Sequence, residues 1–492
     1  MRASRVAGFP LVAKLAANVR LASLAFPALL AACAAGPDYK KPAVSMPEVW
    51  KVEAPWRESA PNDAAAKGPW WLCFGDPQLD ALEQLALAGS PTLVIASARL
   101  AQARTVLSAA SAGLYPQASL GVRDSRLTIS ANRPLTNNNT PNATTTQDDY
   151  VAVLSASYEA DLAGRVQRTI EGARASAEQS AADFENIRLL LTADLATAYF
   201  NLRALDIELD VLSRSIELQR RALGVATARH DLGAASGLDV AQQQALLDST
   251  LTQVDVLRRQ RAQFEHAIAT LTGTPAPAFS LAPQIKVLVP PAVPIGVPSD
   301  VLERRPDVAS AERAMAAANA QVGVARAAFY PSISLGTTYG SQSRFIALLF
   351  DAPSRIWSLG LSLAQPLFDG GRLRANADNA RAAYEAAVAN YRRVVLTAMQ
   401  EAEDGIIGLA ALERAHTQAQ KAIASANRVF DLANARYEGG VATSLDVITA
   451  QQGLLNSERL AAQLLGQRLL TSVFLVKALG GDWQGAKMVA ND

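Results

Sequence analysis

The sequence predicts an α+β membrane protein in which one unit, a strand pair followed by a very long helix, is internally duplicated. The segment Arg229–Val240 returns as Arg436–Val447, with its Arg, Gly, Leu, Asp and Val residues in register. Each copy contains segments that alternate between apolar and small polar residues, which is the period of a strand with two different faces. Each copy then continues into a long stretch without proline, which is compatible with one uninterrupted helix.

The amino terminus has the features of a secretory signal. Basic residues come first, an apolar run from Leu21 to Ala32 follows, and this run is too short to cross a bilayer as a helix. The run ends in Leu-Ala-Ala before Cys33, which resembles the lipobox of bacterial lipoproteins. We therefore predict a signal peptide over residues 1–32 and a lipid on Cys33, with Ala34 favouring sorting to the outer membrane. An ordinary signal with an incidental cysteine is the alternative.

Residues 33–78 are rich in proline and tryptophan, and we expect an extended N-terminal segment that lies on another surface. An Ala/Leu pattern then predicts helix from Leu79 to about Leu114, interrupted before Pro91, which suits the first position of a helix. Cys73 has no disulfide partner once the lipidated cysteine is excluded, and it is expected to be a small buried apolar side chain.

Strands are clearest in the second copy, where Ile333–Tyr339 and Trp357–Leu363 alternate between apolar and small residues. In the first copy the alternation is weaker, and correspondence with the second copy predicts strands at Ser119–Ile129 and Tyr150–Tyr158. The Asn/Thr/Pro-rich stretch from Asn132 to Asp149 is expected to be a solvated loop.

The long helices are predicted at Arg165–His230 and Arg372–Tyr437, each about 65 residues and roughly 100 Å in length. A turn that contains glycine and a second helix, Leu238–Leu271 or Leu445–Leu479, follow each of them. Helices of this length need a partner for their apolar stripe, so each pair is expected to form an antiparallel hairpin. The chain beyond the N-terminal segment accordingly divides into a first repeat at 79–274, a Pro-rich linker at 275–298, a second repeat at 299–482 and a tail at 483–492.

The predicted strands constrain the number of copies. Four strands cannot close a barrel by themselves, because bacterial barrels begin at eight strands and lipid does not tolerate an open sheet edge. Closed symmetry makes three copies the economical solution, with twelve strands continued by twelve helices. A barrel that leads into a helical cylinder is a conduit.

The composition and motifs argue against nucleic-acid binding and catalysis. The chain has 46 basic and 45 acidic residues, without a basic stripe interleaved with aromatic residues. No G-x-S-x-G, P-loop or dinucleotide-binding glycine pattern occurs. The three histidines have no neighbours at metal-ligand spacing. We therefore expect no catalytic residues, no metal and no cofactor other than the covalent lipid on Cys33.

The repeated segment has the local features of a turn between helices. Gly233 and Gly440 suit positions that need a positive φ. Ser236 and Thr443 suit the N-caps of the return helices, with Ser444 as the alternative cap in the second copy.

Asp239 and Asp446 then fall in the first turn of the return helices, where a carboxylate favours the positive helix end. For both aspartates, a purely structural role remains open at this point.

Two segments carry a family resemblance. Pro298–Asp307 and Gly323–Pro331 strongly resemble the outer-membrane efflux factors of the TolC/OprM type, and Cys33–Tyr39 looks like the start of their lipidated, NodT-like branch in RND-type efflux systems. The resemblance covers nearly the whole mature chain and includes the duplication. It implies a homotrimer in the outer membrane of a Gram-negative bacterium, with a 12-stranded β-barrel continued by a periplasmic α-helical barrel. It further implies a periplasmic adaptor and an inner-membrane pump as partners.

The resemblance also implies a gate at the periplasmic tips. Asp446 matches an aspartate that forms a three-fold ring, Thr449 stands where the family has a second aspartate, and Tyr437 matches a tyrosine that locks the entrance. The family's assisting arginine falls at Ala442, which removes the expected ionic link to Asp239. Because the repeated segments form the tips, the expected adaptor-docking residues are Arg229, Gly233, Ser236, Arg436, Gly440 and Thr443.

The predicted function is a passive exit duct of a tripartite efflux system. The alternative is a periplasmic coiled-coil adaptor lipoprotein, but adaptors have one hairpin rather than two hairpins that each follow a strand pair. A lipoprotein enzyme is the third possibility, and the absence of a catalytic constellation argues against it.

Overall fold

The computed structural model describes residues 37–40, 69–132, 144–285, 289–291 and 305–481. Within these ranges the helices are α1 (Pro77–Gly89), α2 (Pro91–Ser111), α3 (Arg165–Asp231), α4 (Gly237–Leu271), α5 (Pro306–Ala327), α6 (Arg372–Glu438) and α7 (Ser444–Ala478). The strands are β1 (Gln117–Ile129), β2 (Thr145–Ala160), β3 (Ser332–Ser343) and β4 (Arg355–Ala364).

The chain divides into two compact units. The sheet unit takes its described residues from the ranges 1–42, 101–179 and 312–389. The helical unit takes its described residues from the ranges 43–100, 180–311 and 390–492.

The helices reproduce the duplication in their lengths. Helices α3 and α6 each have 67 residues, and the return helices α4 and α7 each have 35. The predicted long helices and return helices are therefore confirmed to within a residue or two at each end. Helix α2 begins at Pro91, as predicted, because proline fixes the backbone for a first helical turn and its missing N–H is not needed there.

In the sheet unit, the four strands form one antiparallel sheet in the order β1-β2-β3-β4. The predicted strands are confirmed, but the loop expected from Asn132 to Asp149 is too long. Strand β2 already begins at Thr145, which lies opposite Ile129 in the register with β1. In the next residue pair of this register, the hydroxyls of Thr128 and Thr146 are 2.9 Å apart. Threonine is β-branched and pairs well across strands, so these residues extend the ladder instead of the loop.

In the helical unit, the aromatic residues before α1 form a packed turn. Trp70–Phe74 is a 3₁₀ helix, and the rings of Phe74 and Phe200 are 4.7 Å apart. The Trp70 indole N–H donates to the Thr192 hydroxyl at 3.1 Å. The prediction of an extended segment to residue 78 is therefore wrong from residue 70 onwards, because burying three large aromatic side chains stabilises a folded turn. Cys73 packs half-buried against this core, and burial raises the pKa of its thiol to about 12.

The two hairpins of the helical unit also pack together. Apolar side chains of α3 and α4 pack in one cluster with Leu455 of α7. Beside this cluster, Arg459 of α7 binds the buried Glu208 of α3 through two nitrogens at 2.8 and 2.6 Å. A third nitrogen of Arg459 donates to Gln253 of α4 at 2.8 Å. One guanidinium thus connects both copies of the repeat.

The chain that follows α4 is fixed to the first hairpin. The backbone N–H of Leu281 donates to Glu265 at 2.6 Å, and Arg261 donates to the Leu281 carbonyl at 2.6 Å. Arg203 donates to the carbonyl of Ala282 at 3.0 Å. The first part of the predicted linker is therefore held by a network of buried and half-buried charges.

Arg305 fixes the start of the second copy. Its guanidinium donates to the carbonyl of Ala478, at the end of α7, at 3.0 Å and pairs with Glu401 at 2.7 Å.

Among the described helices, none by itself is long and apolar enough to cross a membrane. The bent pair Pro77–Gly89 and Pro91–Leu114 meets the length and composition criteria only when both helices are taken together.

Candidate membrane face and channel entrance

One face of the sheet is apolar and exposed. The cross-strand pairs Leu335–Leu361 and Tyr339–Trp357 lie on it, and these four side chains are 43% to 76% exposed. Strand β2 continues the face through Leu154, which lies opposite Tyr339. A contiguous apolar face of this kind needs a cover, and an aromatic pair at its end is typical of a strand that meets a membrane interface.

The opposite face of the sheet is small and polar. The hydroxyls of Ser334 and Ser362 are 2.6 Å apart, and those of Thr338 and Ser358 are also 2.6 Å apart. These pairs satisfy polar groups across the strands. The face is therefore suited to a water-filled interior.

Near the connection between β1 and β2, both faces carry charges. On the polar face, Asp149 accepts from Arg123 at 3.0 Å and from Gln342 at 2.7 Å. On the other face, Asp148 lies 3.6 Å from Arg126. Both aspartates are thus paired strand residues, and the expectation of a solvated loop position is wrong. The strand pairing brings their arginine partners opposite them, which local composition does not show.

The sheet has two open edges within the described part of the chain. Strands β1 and β4 each pair with one neighbour only. Their outer N–H and C=O groups need partners from outside this sheet if lipid surrounds the strands.

The tips of the two hairpins have the same backbone geometry. Gly233 has φ +73° and Gly440 has φ +76°, so the predicted positive φ is present at both turns. The Gly233 N–H donates to the carbonyl of His230 at 2.8 Å, and that of Gly440 to the carbonyl of Tyr437 at 3.1 Å. Glycine closes both long helices because it adopts this left-handed conformation without strain.

Both return helices begin with a capping box. In the first copy, the backbone N–H and hydroxyl of Ser236 donate to Asp239 at 3.0 and 2.9 Å. In the second copy, the corresponding groups of Thr443 donate to Asp446, both at 2.8 Å, so the cap is Thr443 rather than Ser444. The hydrogen bonds from Thr443 stabilise the ionised carboxylate and lower the pKa of Asp446.

Asp446 and Thr449 are both exposed and lie about one turn apart on α7. The Thr449 hydroxyl donates to the carbonyl of Leu445 at 2.8 Å, which leaves its oxygen free to accept. Tyr437 is half-buried, and the guanidinium carbon of Arg229 lies 4.5 Å from the centre of its ring. Neither the spacing nor the repeat indicates this contact between the two copies.

Exposed apolar residues surround both tips, and the sequence prediction missed them. They are Leu232, Leu238, Val441 and Leu445, with exposed fractions of 84%, 65%, 69% and 55%. Large apolar residues beside a glycine turn were the available signal.

The predicted lipidation site Cys33 lies outside the described residues. Among the residues that are described, no three His, Cys, Asp or Glu side chains form a group that could hold a metal ion.

Comparison with known proteins decides the family. The model of the outer membrane efflux protein family matches residues 82–274 and 297–481. The chain belongs to this family. It is 34% identical over 457 residues to the pyoverdine export outer membrane protein OpmQ of Pseudomonas aeruginosa, which covers 93% of this chain and 95% of that protein.

Solved structures of outer membrane channels resemble the efflux protein over most of its length. The Campylobacter jejuni CmeC outer membrane channel matches with a TM-score of 0.85 at 25% identity, over 92% of this chain and 96% of that one. The open state of the Neisseria gonorrhoeae MtrE outer membrane channel matches with a TM-score of 0.79 at 28% identity, over 92% and 98%.

The predicted fold class, function and location are therefore confirmed. This efflux protein has the α+β membrane fold of the TolC-like channels, with a duplicated strand-pair and long-helix unit that builds a β-barrel and an α-helical barrel. It is the outer-membrane exit duct of an efflux system in a Gram-negative bacterium. Its relatives are channel and transport proteins. The adaptor alternative fails because the chain has two hairpins and matches the channel family.

Proposed function

We propose that three copies of this chain form a passive duct that receives its substrates from a periplasmic adaptor and an inner-membrane RND-type pump. The duct carries out no reaction and needs no cofactor, because the pump supplies the energy. The observation that supports the trimer is the four-stranded sheet with one exposed apolar face and two open edges. Three such sheets, joined edge to edge, give a closed barrel of twelve strands.

The mass of the full-length protein extracted in mild detergent tests the trimer. We expect a complex of three chains that runs as a trimer when unheated and as a monomer after boiling. A monomer that elutes with the soluble periplasmic fraction contradicts both the trimer and the duct.

We propose that Asp446 forms the charged ring of the entrance, with Thr449 as an uncharged polar ring one turn away. Tyr437 and Asp239 support this gate from the adjoining turns. The exposure of Asp446 and its stabilised negative charge favour this role, since three such carboxylates around one axis attract cations.

Planar-bilayer recordings test the ring with a matched pair of variants. Asp446→Asn is expected to reduce cation selectivity and block by multivalent cations. Thr443→Ala removes the hydroxyl of the same cap but keeps the Asp446 carboxylate, so it measures what loss of a cap contact does by itself. If Asp446→Asn changes selectivity no more than Thr443→Ala does, the ring is assigned to the wrong residue.

We propose that the tips dock the adaptor. Arg229, Gly233, Ser236, Arg436, Gly440 and Thr443 shape the two tips. The exposed Leu232 and Val441 would supply apolar contact area, because apolar side chains this exposed at a turn are typical of a binding surface.

Site-directed cross-linking from the tips tests the docking. Cysteines are better placed at Leu232 and Val441 than at the glycines, whose positive φ would strain any other residue. Leu396→Cys, at a site of similar exposure on α6, is the control. Adaptor capture from Leu396 alone would contradict tip docking.

We further propose that Cys33 carries the lipid that anchors the mature chain in the outer membrane. The buried methylenes of acyl chains contribute about 0.8 kcal/mol each, so two or three chains anchor firmly. Mass spectrometry of the N-terminal peptide should show acylation at Cys33, and Cys33→Ser should abolish it. An unmodified N-terminus at another residue contradicts the anchor.

A further inference from the structure

The first residues that the structure describes lie against two helices of the sheet unit. The carbonyl of Pro37 accepts a hydrogen bond from Asn319 of α5 at 3.1 Å. Arg168 of α3 donates to the carboxylate of Asp38 at 2.8 Å. Asn319 and Arg168 are only 3% and 5% exposed, so both donors belong to the packed part of the helices. We call this pair of donors the N-terminal dock.

The dock lies where α3 and α5 are in close contact. A Cβ added to Gly172 of α3 would meet the side chain of Ala320 of α5 at 3.4 Å. Arg168 is about one turn before Gly172, and Asn319 directly precedes Ala320. The packing of the two helices therefore holds both donors in place.

The docked segment runs along α5 in a defined direction. The hydroxyl of Tyr39 donates to Glu312 of α5 at 3.4 Å. Glu312 lies seven residues before Asn319, which is about 10 Å along the helix. Because α5 leads into β3, Asn319 is nearer to the sheet than Glu312. From Tyr39 back to Pro37, the chain therefore approaches the sheet.

The distance from the dock to the sheet matches the length of chain before it. Four residues lead from Cys33 to Pro37, and fully extended they span at most about 14 Å. Asn319 lies eight residues before the end of α5, which is about 12 Å along the helix. This tether is just long enough to bring Cys33 to the level at which α5 ends.

Exposed aromatic side chains lie at the same level. Tyr115 between α2 and β1, Tyr330 between α5 and β3, and Phe368 between β4 and α6 are all exposed. Aromatic residues are concentrated where the strands of a membrane barrel meet the interface with water. The end of α5 is therefore at the boundary between the lipid-facing sheet and the helices.

We propose that the N-terminal dock fixes the lipid of Cys33 beside the sheet, so that its acyl chains enter the periplasmic leaflet of the outer membrane at this boundary. This inference rests on the proposed lipidation of Cys33. Without the dock, the next described residue that is packed into the protein is Trp70, 37 residues after Cys33. The local concentration of a tethered group falls as about the −3/2 power of tether length. Lengthening the tether from four to 37 residues therefore lowers that concentration about 10- to 30-fold.

Two variants release the segment from opposite sides. Asp38→Lys places a positive charge against Arg168, and it removes no packed group because the Asp38 side chain is 87% exposed. Arg168→Gln removes the charged donor from α3. Lys40→Glu is the matched control on the segment, since Lys40 is exposed and the charge changes by the same amount. Arg174→Gln is the control on the helix, at an exposed arginine further along α3.

Photo-cross-linking of the full-length protein locates the acyl chains. Cells are grown with a diazirine-containing fatty acid, which lipoproteins incorporate, and their outer membranes are irradiated. Mass spectrometry measures acylation of the N-terminal peptide and its cross-links within the chain. In the wild type, we expect cross-links to the peptides that contain Tyr330 and Phe368. Both dock variants should lower their yield per acylated peptide about 10- to 30-fold, and both controls should match the wild type.

The outcomes separate the dock from the anchor. An N-terminal peptide without acyl chains on Cys33 would overturn the anchor itself. An acylated wild-type protein without cross-links at the boundary, or with equal yields in Asp38→Lys and Lys40→Glu, would overturn the dock and leave the anchor intact. A loss confined to Arg168→Gln would also overturn the dock, because it would assign the effect to the packing of α3.

Discussion

Replacing Leu359 by arginine is expected to prevent or strongly weaken assembly in the membrane. Leu359 lies at the centre of β4, is 67% exposed in one chain and faces the same side as Trp357 and Leu361. An arginine on the lipid face near the midplane of a barrel costs about 2 to 4 kcal/mol. A trimer carries three of them, so the cost is about 6 to 12 kcal/mol, comparable to the whole stability of many proteins.

The adjacent residue provides the control. Gly360 points to the polar face, and a Cβ built there meets no atom within 4 Å. Gly360→Arg adds the same charge to the same strand on the water side, so it should assemble normally and change only the conductance. The assay is the amount of heat-modifiable trimer in outer-membrane fractions, followed by single-channel conductance. Equal trimer yields for Leu359→Arg and Gly360→Arg, or a loss confined to Gly360→Arg, would refute the assignment of the lipid face.

Two further predictions concern the helical unit. Glu83 is fully buried without a hydrogen-bond partner, and burial, together with the charge of Asp80, raises its pKa from 4.5 to about 9. Between these two pKa values the folded chain holds a proton that the unfolded chain loses. The free energy of unfolding should therefore fall as pH rises from about 4.5 to about 9, by up to about 1.4 kcal/mol per pH unit. Urea unfolding of Glu83→Gln should show a weaker dependence of this free energy on pH. Arg459→Met leaves the buried Glu208 without a charged partner, although Gln463 still donates to it at 3.2 Å. The substitution should cost about 3 to 5 kcal/mol in thermal or denaturant unfolding. Adding Glu208→Gln should recover part of the loss, and no recovery would mean that Arg459 acts through packing alone.

Local chemistry determined much of the fold and the backbone geometry of the two hairpin tips. The long helices follow from their proline-free, Ala-rich sequence, and their ends follow from Gly233 and Gly440, since φ is a property of one residue. The caps at Ser236 and Thr443 involve groups only three residues apart, so the pattern of residues was enough to locate them. Their part in a gate stays a proposal.

Long-range packing decided what those local rules do not contain. Strand β2 starts at Thr145 because β1 lies opposite it, and Trp70–Phe74 folds into a turn because Phe200 offers it an apolar surface. Strand pairing and burial join residues that are far apart in sequence. The local pattern of residues does not indicate which distant strand or side chain becomes the partner.

The repeated tip segment shows the division most clearly. Its sequence determined that two equivalent turns exist, each with a glycine, a cap and an aspartate. Only the tertiary structure decided that the copies differ in use, with Arg229 of the first on the ring of Tyr437 of the second. The turns depend on bonds within a few residues, whereas the contact depends on the tertiary arrangement that brings the ends of two 67-residue helices together.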